Sequence, residues 1–239
     1  MLMLIKLVAH SKRQRKPAQP TRNFLFVRSY PEDWLKFVRQ ERVIAVIRST
    51  DLQIGLKMAQ AAAAGGIKLI EITANSDRPW ALIELLRAEL PDCSIGTGTV
   101  LSMSDVLNAI ACGAEYIFTP HLDLSLIDAA TTAEIPIIPG ALTPTEIVTA
   151  WHSGATAVKV FPIQSVGGAS YLQVLQGPIA HIPLIPTGGV TVDNTPDFLA
   201  AGAVAVGLAG SLFPPAEIAQ ADWQSIRDRS SDLVMSIKI

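Results

Sequence analysis

Three groups of residues in this chain have types and spacings that could do chemistry. The first is Lys159, which interrupts the apolar run Ala157-Val158-Lys159-Val160-Phe161-Pro162. An ammonium inside a buried strand costs free energy unless something pairs with it or its pKa falls. Such a lysine is either structural, snorkelling to water or paired with a carboxylate, or an amine held partly neutral so that it can attack a carbonyl and form a Schiff base. The second is Glu71, near the end of another apolar run at residues 67–72. The third is a pair of small-residue stretches, Thr187-Gly188-Gly189 and Ala209-Gly210-Ser211, whose glycines let backbone N–H groups approach a ligand.

These groups need a frame that brings them together. Residues 43–48 form a continuous apolar strand ending in Arg48, a pattern suited to strands buried on both faces of a parallel sheet. Further strands are predicted at 67–72, 94–98, 116–119, 135–139, 157–161, 184–187 and 203–208. Helices are predicted from the Asp51 cap to Ala64, and at 79–90, 102–111, 124–133, 144–153, 169–176 and 195–201. Trp34, Leu35 and Val38, after Pro31, suggest a short lead-in helix. Eight strands separated by helices predict an α/β chain, a (β/α)8 TIM barrel occupying residues 31–239 as a single domain. A doubly wound open sheet is the alternative. Alternate helices end in glycine, at Gly65-Gly66, Gly113, Gly154 and Gly202, whereas the others reach their strands through Pro91, Pro136 and Pro183. A duplicated βαβα module and plain cap chemistry both account for that alternation.

In a barrel the catalytic groups stand at the C-terminal ends of the strands. Those ends carry Arg48, Glu71 with Thr73 and Asn75, Gly98-Thr99, Thr119-Pro120, Pro139-Gly140, Lys159 with Phe161, Thr187-Gly188-Gly189, and Gly210-Ser211. Strand alternation sends Lys159 and Phe161 inward together, and lets Glu71 face inward while Ile70 and Ile72 face out. The resulting lysine and carboxylate are either a buried ion pair or a nucleophile with its proton shuttle. Phosphate sites built from the loops after strands seven and eight recur in this fold, and a short helix beginning near Ser211 would aim its positive end at the anion. Of the four histidines, 10, 121, 152 and 181, only His121 falls at a strand end, and it reads as a rim residue.

Composition narrows the function classes. Apolar residues make up 49% of the 239, charged residues 17%, and the net charge is −2. That is enough apolar material for one large core, with no field favouring nucleic acid or an anionic membrane as partner. Two cysteines, Cys93 and Cys112, lack a Cys/His cluster, so neither a disulfide framework nor a metal site is expected and a cytoplasmic location fits. Residues 1–30 read as a disordered extension: the basic cluster Lys12, Arg13, Arg15, Lys16 follows the short apolar run at 1–9, the wrong order for a secretory signal. A targeting or lipid-surface segment is the other reading. No transmembrane helix is expected.

Taken together, residues 66–72 with Glu71, Gly96-Thr97-Gly98-Thr99-Val100, Phe118-Thr119-Pro120, Ile138-Pro139-Gly140, Val158-Lys159-Val160-Phe161-Pro162, Pro186-Thr187-Gly188-Gly189-Val190 and Gly210-Ser211 resemble the KDPG/KHG aldolase family. Its members are class I aldolases acting on 2-keto-3-deoxy-6-phosphogluconate and 4-hydroxy-2-oxoglutarate, and the likeness runs from about residue 43 to residue 213. The resemblance implies Lys159 as the Schiff-base lysine and Glu71 as the acid/base. It implies Arg48, Thr99, Pro120 and Phe161 in the substrate pocket, and Gly188, Gly189 and Ser211, with Gly210 beside it, at the phosphate. It further implies a keto-acid sugar phosphate as ligand, no cofactor, and a homotrimer. Many members carry an arginine shortly after the glutamate, where this chain has Asn75 in Thr73-Ala74-Asn75-Ser76. That sequence looks more like the branch cleaving the galactonate epimer, 2-keto-3-deoxy-6-phosphogalactonate. Rival readings are a phosphate-binding barrel that isomerises or epimerises sugar phosphates, and a non-catalytic binder of such metabolites.

Overall fold

A computed structural model describes residues 31–237. The readings of residues 1–30 lie outside those described. Among the described residues the chain alternates strand and helix, and local chemistry sets most boundaries. Helix α1, Pro31–Glu41, precedes β1, Val43–Ile47. Asp51 caps α2, Leu52–Ala64, by accepting from Ile54 N–H. Then come β2, Leu69–Thr73, α3, Pro79–Glu89, and β3, Ser94–Gly98. Ser102 and Asp105 form a reciprocal capping box at the start of α4, Met103–Cys112. Strand β4, Ile117–Phe118, leads to α5, Leu124–Thr132, and the fifth strand comes in two pieces, β5, Ile137–Ile138, and β6, Gly140–Ala141. A second capping box, Thr143 with Glu146, opens α6, Pro144–His152. Strand β7, Val158–Val160, a 3-10 turn at Ile163–Val166, α7, Ala169–Ile179, β8, Leu184–Pro186, α8, Thr195–Ala200, and β9, Val206–Leu208, follow. Two helices, α9, Pro215–Ala219, and α10, Trp223–Ile237, complete the order.

Every described strand pairing is parallel. One sheet runs β5-β4-β3-β2-β1-β9 and a second β6-β7-β8. The break falls at Pro139, which has no N–H to donate; its carbonyl instead accepts from Lys159 N–H at 2.9 Å. At the other margin a bridge joins Thr187 to Gly207, and Val204 N–H donates to the Leu184 carbonyl at 3.0 Å. The result is a mixed α/β fold with a curled parallel sheet.

Curling divides the core in two. Outward residues such as Ile70, Ile72, Ile95, Val158 and Val160 pack against the helices, while the inward set is Ile44, Leu69, Tyr116, Phe118, Ile138, Ala157, Ile185 and Ala205. Trp34 and Val38 of α1 join the inward set and close its lower end. The rings of Trp34, Tyr116 and Phe118 meet in tilted and edge-on contacts at centroid distances of 5.0, 5.8 and 6.4 Å, a three-ring cluster in the inward core. Truncating a buried tryptophan of this kind costs about 3–5 kcal/mol.

Four differences from the sequence-based expectation have physical reasons. The fifth strand is broken because proline interrupts its ladder. Helix α7 runs on through Gly177 and Pro178 to Ile179, where expectation stopped it at 176. No helix starts near Ser211; the chain turns there, Leu212 and Phe213 N–H both meeting the Ala209 carbonyl, and α9 begins only at Pro215, where proline's fixed φ suits a first helical position. Helix α10 was not anticipated. It lies across the end of α2, where a Cβ on Gly65 would stand 2.4 Å from both the Arg227 carbonyl oxygen and Ser230 Cβ, so only glycine admits that crossing. The helix-ending glycines 66, 113, 154 and 202 all have φ between 80° and 98°, the left-handed conformation of cap chemistry.

Candidate active site

Because every strand runs the same way, their C-terminal ends share one rim, and two ionisable side chains rise from inside it. Lys159 is the middle residue of β7, in register with Gly140 on one side and Ile185 on the other. Its inward course places it over the aromatic cluster, with Nζ 5.9 Å from the Phe118 centroid and 4.8 Å from that of Phe161. It is 8% exposed. Burial lowers its pKa below 10.5, opposed by attraction to Glu71 and reinforced by the charge of Arg48.

Glu71 is the middle residue of β2, between Val46 and Gly96, and is 1% exposed. Burial raises its pKa above 4.5, against the pull of Lys159 and Arg48. Both groups are therefore displaced toward their neutral forms, and the described ion pairs include neither of them. A lysine and a carboxylate displaced in this way, across one chamber, are equipped for nucleophilic attack and proton transfer.

The wall beside Glu71 explains the Gly96-Thr97-Gly98 run. A Cβ on Gly98 would fall 1.6 Å from Glu71 Oε1, so the carboxylate occupies space that only glycine leaves. A Cβ on Gly96 would strike the Tyr116 ring at 2.4 Å. Thr97 points the other way and donates to the Ile72 carbonyl at 2.9 Å. Tyr116 is fully buried, its hydroxyl lacks a hydrogen-bond partner among the described residues, and burial holds its phenol well above 10. Cys93 is no rival nucleophile, since burial pushes its thiol up to about 11.

Arg48 follows β1 and is exposed at the rim, where its Nε donates to Asn75 Oδ1 at 3.2 Å. Asn75 stands in a braced turn: Ser76 N–H donates to the Thr73 carbonyl, the Thr73 and Ser76 hydroxyls meet at 3.0 Å, and Ala74 N–H reaches the Gly98 carbonyl at 2.7 Å. Thr99 follows β3 with φ 58°, a left-handed conformation that costs a non-glycine residue on the order of 1 kcal/mol. Pro120 follows β4, packed so closely on Gly140 that a Cβ there would lie 2.3 Å from its carbonyl carbon.

After β8, Gly188 and Gly189 have φ 83° and 93°, and added Cβ atoms would meet the Phe161 ring at 2.9 Å and Gln164 Cβ at 2.3 Å. Asn194 braces this loop, accepting from Thr191 N–H and donating to the Gly189 carbonyl at 3.1 Å. Ser211 links it to the turn after β9 by accepting from Val192 N–H at 3.0 Å. Gly210 differs from the other two glycines: nothing lies within 4 Å of a Cβ there. The structure thus joins Lys159 to Phe161 by contact, Phe161 to Gly188, Lys159 to Glu71 and Arg48 by charge, and Arg48 to Asn75. Thr99, Pro120, Gly210 and Ser211 occupy loops that follow β3, β4 and β9 at the same rim. Thr187, named with its glycines but given no role of its own, follows β8 with its hydroxyl buried and unpartnered among the described residues. Strand parity with inward Ile185 was the signal that could have given it one.

Comparison with known proteins is consistent with this arrangement. The family model "KDPG and KHG aldolase" matches residues 35–228. A 2-dehydro-3-deoxy-phosphogluconate aldolase of Dickeya dadantii is 35% identical over 73% of this chain and 82% of its own. A KHG/KDPG aldolase of Escherichia coli is 32% identical over 82% of this chain and 92% of its own. The crystal structure of KDPG aldolase from Legionella pneumophila, with pyruvate captured at low pH as a covalent carbinolamine intermediate, superposes with a TM-score of 0.76 at 28% identity, covering 87% of this chain and 98% of that one. With an inward lysine on β7 and an inward glutamate on β2, this chain belongs to the KDPG and KHG aldolase family.

Proposed function

We propose that the protein is a class I aldolase that cleaves 2-keto-3-deoxy-6-phosphogluconate to pyruvate and glyceraldehyde 3-phosphate, and 4-hydroxy-2-oxoglutarate to pyruvate and glyoxylate. The observation that carries this reading is Lys159 buried between two aromatic rings, its pKa lowered, with Glu71 across the chamber and its pKa raised. Neutral Lys159 attacks the 2-keto carbon. Glu71 moves protons as the carbinolamine loses water to a protonated imine, which is the electron sink for the next step. Glu71 then takes the C4 hydroxyl proton as the C3–C4 bond breaks, the aldehyde leaves, and the enamine is reprotonated at C3 to a pyruvate imine that water hydrolyses. Arg48 and Thr99 hold the carboxylate, with Pro120 and Phe161 shaping the pocket, and the Gly188-Gly189 and Gly210-Ser211 loops hold the phosphate. Incubation with pyruvate and borohydride, followed by peptide mass analysis, should show a reduced pyruvyl adduct on Lys159. Folded protein without an adduct would return the chain to the isomerase or binder readings.

A second substrate reading rests on Asn75. Its bond to Arg48 occupies the place where many members have an arginine, and supports the galactonate epimer as substrate. Comparison of kcat/KM on the two epimers decides between them. We also infer that residues 31–239 form one domain whose two sheets close as a (β/α)8 barrel, supported by the bonds at Pro139 and Thr187, and that residues 1–30 are an extension to it. A homotrimer in the cytoplasm is the proposed state. Leu101 and Leu124, 57% and 53% exposed, offer apolar surface for self-association, which light scattering would measure.

A further inference from the structure

The turn that carries Ser211 is held from outside as well as from the rim. Its internal bonds, from Leu212 and Phe213 N–H to the Ala209 carbonyl, set its shape but not its position. On the rim side, Val192 N–H meets the Ser211 hydroxyl oxygen at 3.0 Å. On the outer side, Arg229 of α10 donates from Nη1 to the Leu212 carbonyl at 3.1 Å. The same guanidinium pairs with both oxygens of Glu217 on α9, Nη1 reaching Oε2 at 2.8 Å and Nη2 reaching Oε1. The two side chains are 24% and 23% exposed, so water competes only partly for this pair. A fork-to-carboxylate pair fixes the guanidinium plane, and with it the direction of the remaining bond to the turn.

We infer that Arg229 is a positioning residue for the phosphate site, an inference that rests on the reading of Ser211 as a phosphate contact. A hydroxyl whose oxygen already accepts a hydrogen bond has its own proton left to give. Where that proton points depends on where the turn bearing Ser211 sits, and Arg229 holds that turn one residue on, by the carbonyl of the Leu212-Phe213 peptide. Its charge is matched by Glu217, so its contribution is geometry more than field.

The test compares Arg229→Lys, Arg229→Met and Ser211→Ala on the phosphorylated sugar acid and on unphosphorylated 4-hydroxy-2-oxoglutarate, with inorganic phosphate as a competitive probe. Both Arg229 variants should raise KM for the phosphorylated substrate and Ki for phosphate by about 5- to 10-fold, while KM for the unphosphorylated substrate changes less than about twofold and kcat holds. A merely structural role would reduce both substrates alike. Equal losses, or none, from the Arg229 variants beside a selective Ser211→Ala would overturn the positioning role and leave the phosphate site standing. A Ser211→Ala without selectivity would overturn both. Should Arg229→Met not fold, Arg229→Lys, which keeps the stem and charge but not the fork, decides the matter.

Discussion

Replacing Gly98 with alanine adds one methyl group at the point where the wall of the chamber meets Glu71. The new Cβ would lie 1.6 Å from Glu71 Oε1, 2.3 Å from Cδ and 2.9 Å from Cγ, where ordinary contact begins at 3.4 Å. The clash is with the tip of a flexible side chain, so the carboxylate swings aside and the strand stays. The stability cost should therefore fall near the low end of the overpacking range, about 1 kcal/mol. The chemical cost is larger. The carboxylate must retreat by about 2 Å, and a misplacement of even about 1 Å can cost 100-fold in rate. Gly98→Ala should lower kcat for cleavage by about 100-fold or more while Lys159 still forms a borohydride-trappable adduct with pyruvate. Steady-state kinetics, adduct mass and a thermal melt on the same preparation provide the comparison. A kcat within about threefold of wild type at unchanged Tm would refute the placement of Glu71 as the proton carrier.

Two further outcomes follow from the same geometry. Lys159→Met should abolish adduct and cleavage and change how stability depends on pH. With a folded-state pKa below 10.5, the wild-type lysine binds its proton more weakly folded than unfolded, so wild-type stability rises with pH across that window. Methionine lacks that rise, so the variant should be the more stable near neutrality and its Tm advantage should shrink as pH climbs toward about 10; a constant gap would mean the lysine's pKa is not lowered. Gly210→Ala meets no atom within 4 Å and needs no left-handed backbone, so stability should stay within about 0.5 kcal/mol, with KM rising only for phosphorylated substrate. A large fall in Tm would show that this glycine is a packing residue.

What could be read beforehand depended on range along the chain. Lys159 and Glu71 were visible because a charge inside an apolar strand is a local anomaly, and strand parity alone set their facing. The break at Pro139 was equally local, since a proline cannot donate to a ladder, yet the apolar run on either side concealed it. Helix α10 carries Ile226, Leu233, Val234 and Ile237 at helical spacing, a signal passed over once eight strands had been counted. The space that Gly98 leaves for Glu71 and the bond from Arg48 to Asn75 had no local signature. Each joins groups 27 residues apart in the chain, and only the register between strands brings them together.

The aromatic cluster beneath Lys159 is assembled from parts far apart in the chain. Lys159 stands on Phe118, Phe118 touches Trp34, and Trp34 belongs to a helix that precedes the first strand; the wall at β9, where Val206 N–H binds the Arg42 carbonyl, is the last strand to be synthesised. The surroundings of the lysine thus draw on a helix before the first strand and on a sheet whose margin is β9. The burial that lowers the Lys159 pKa is therefore a property of the assembled sheet and not of the strand that carries the residue.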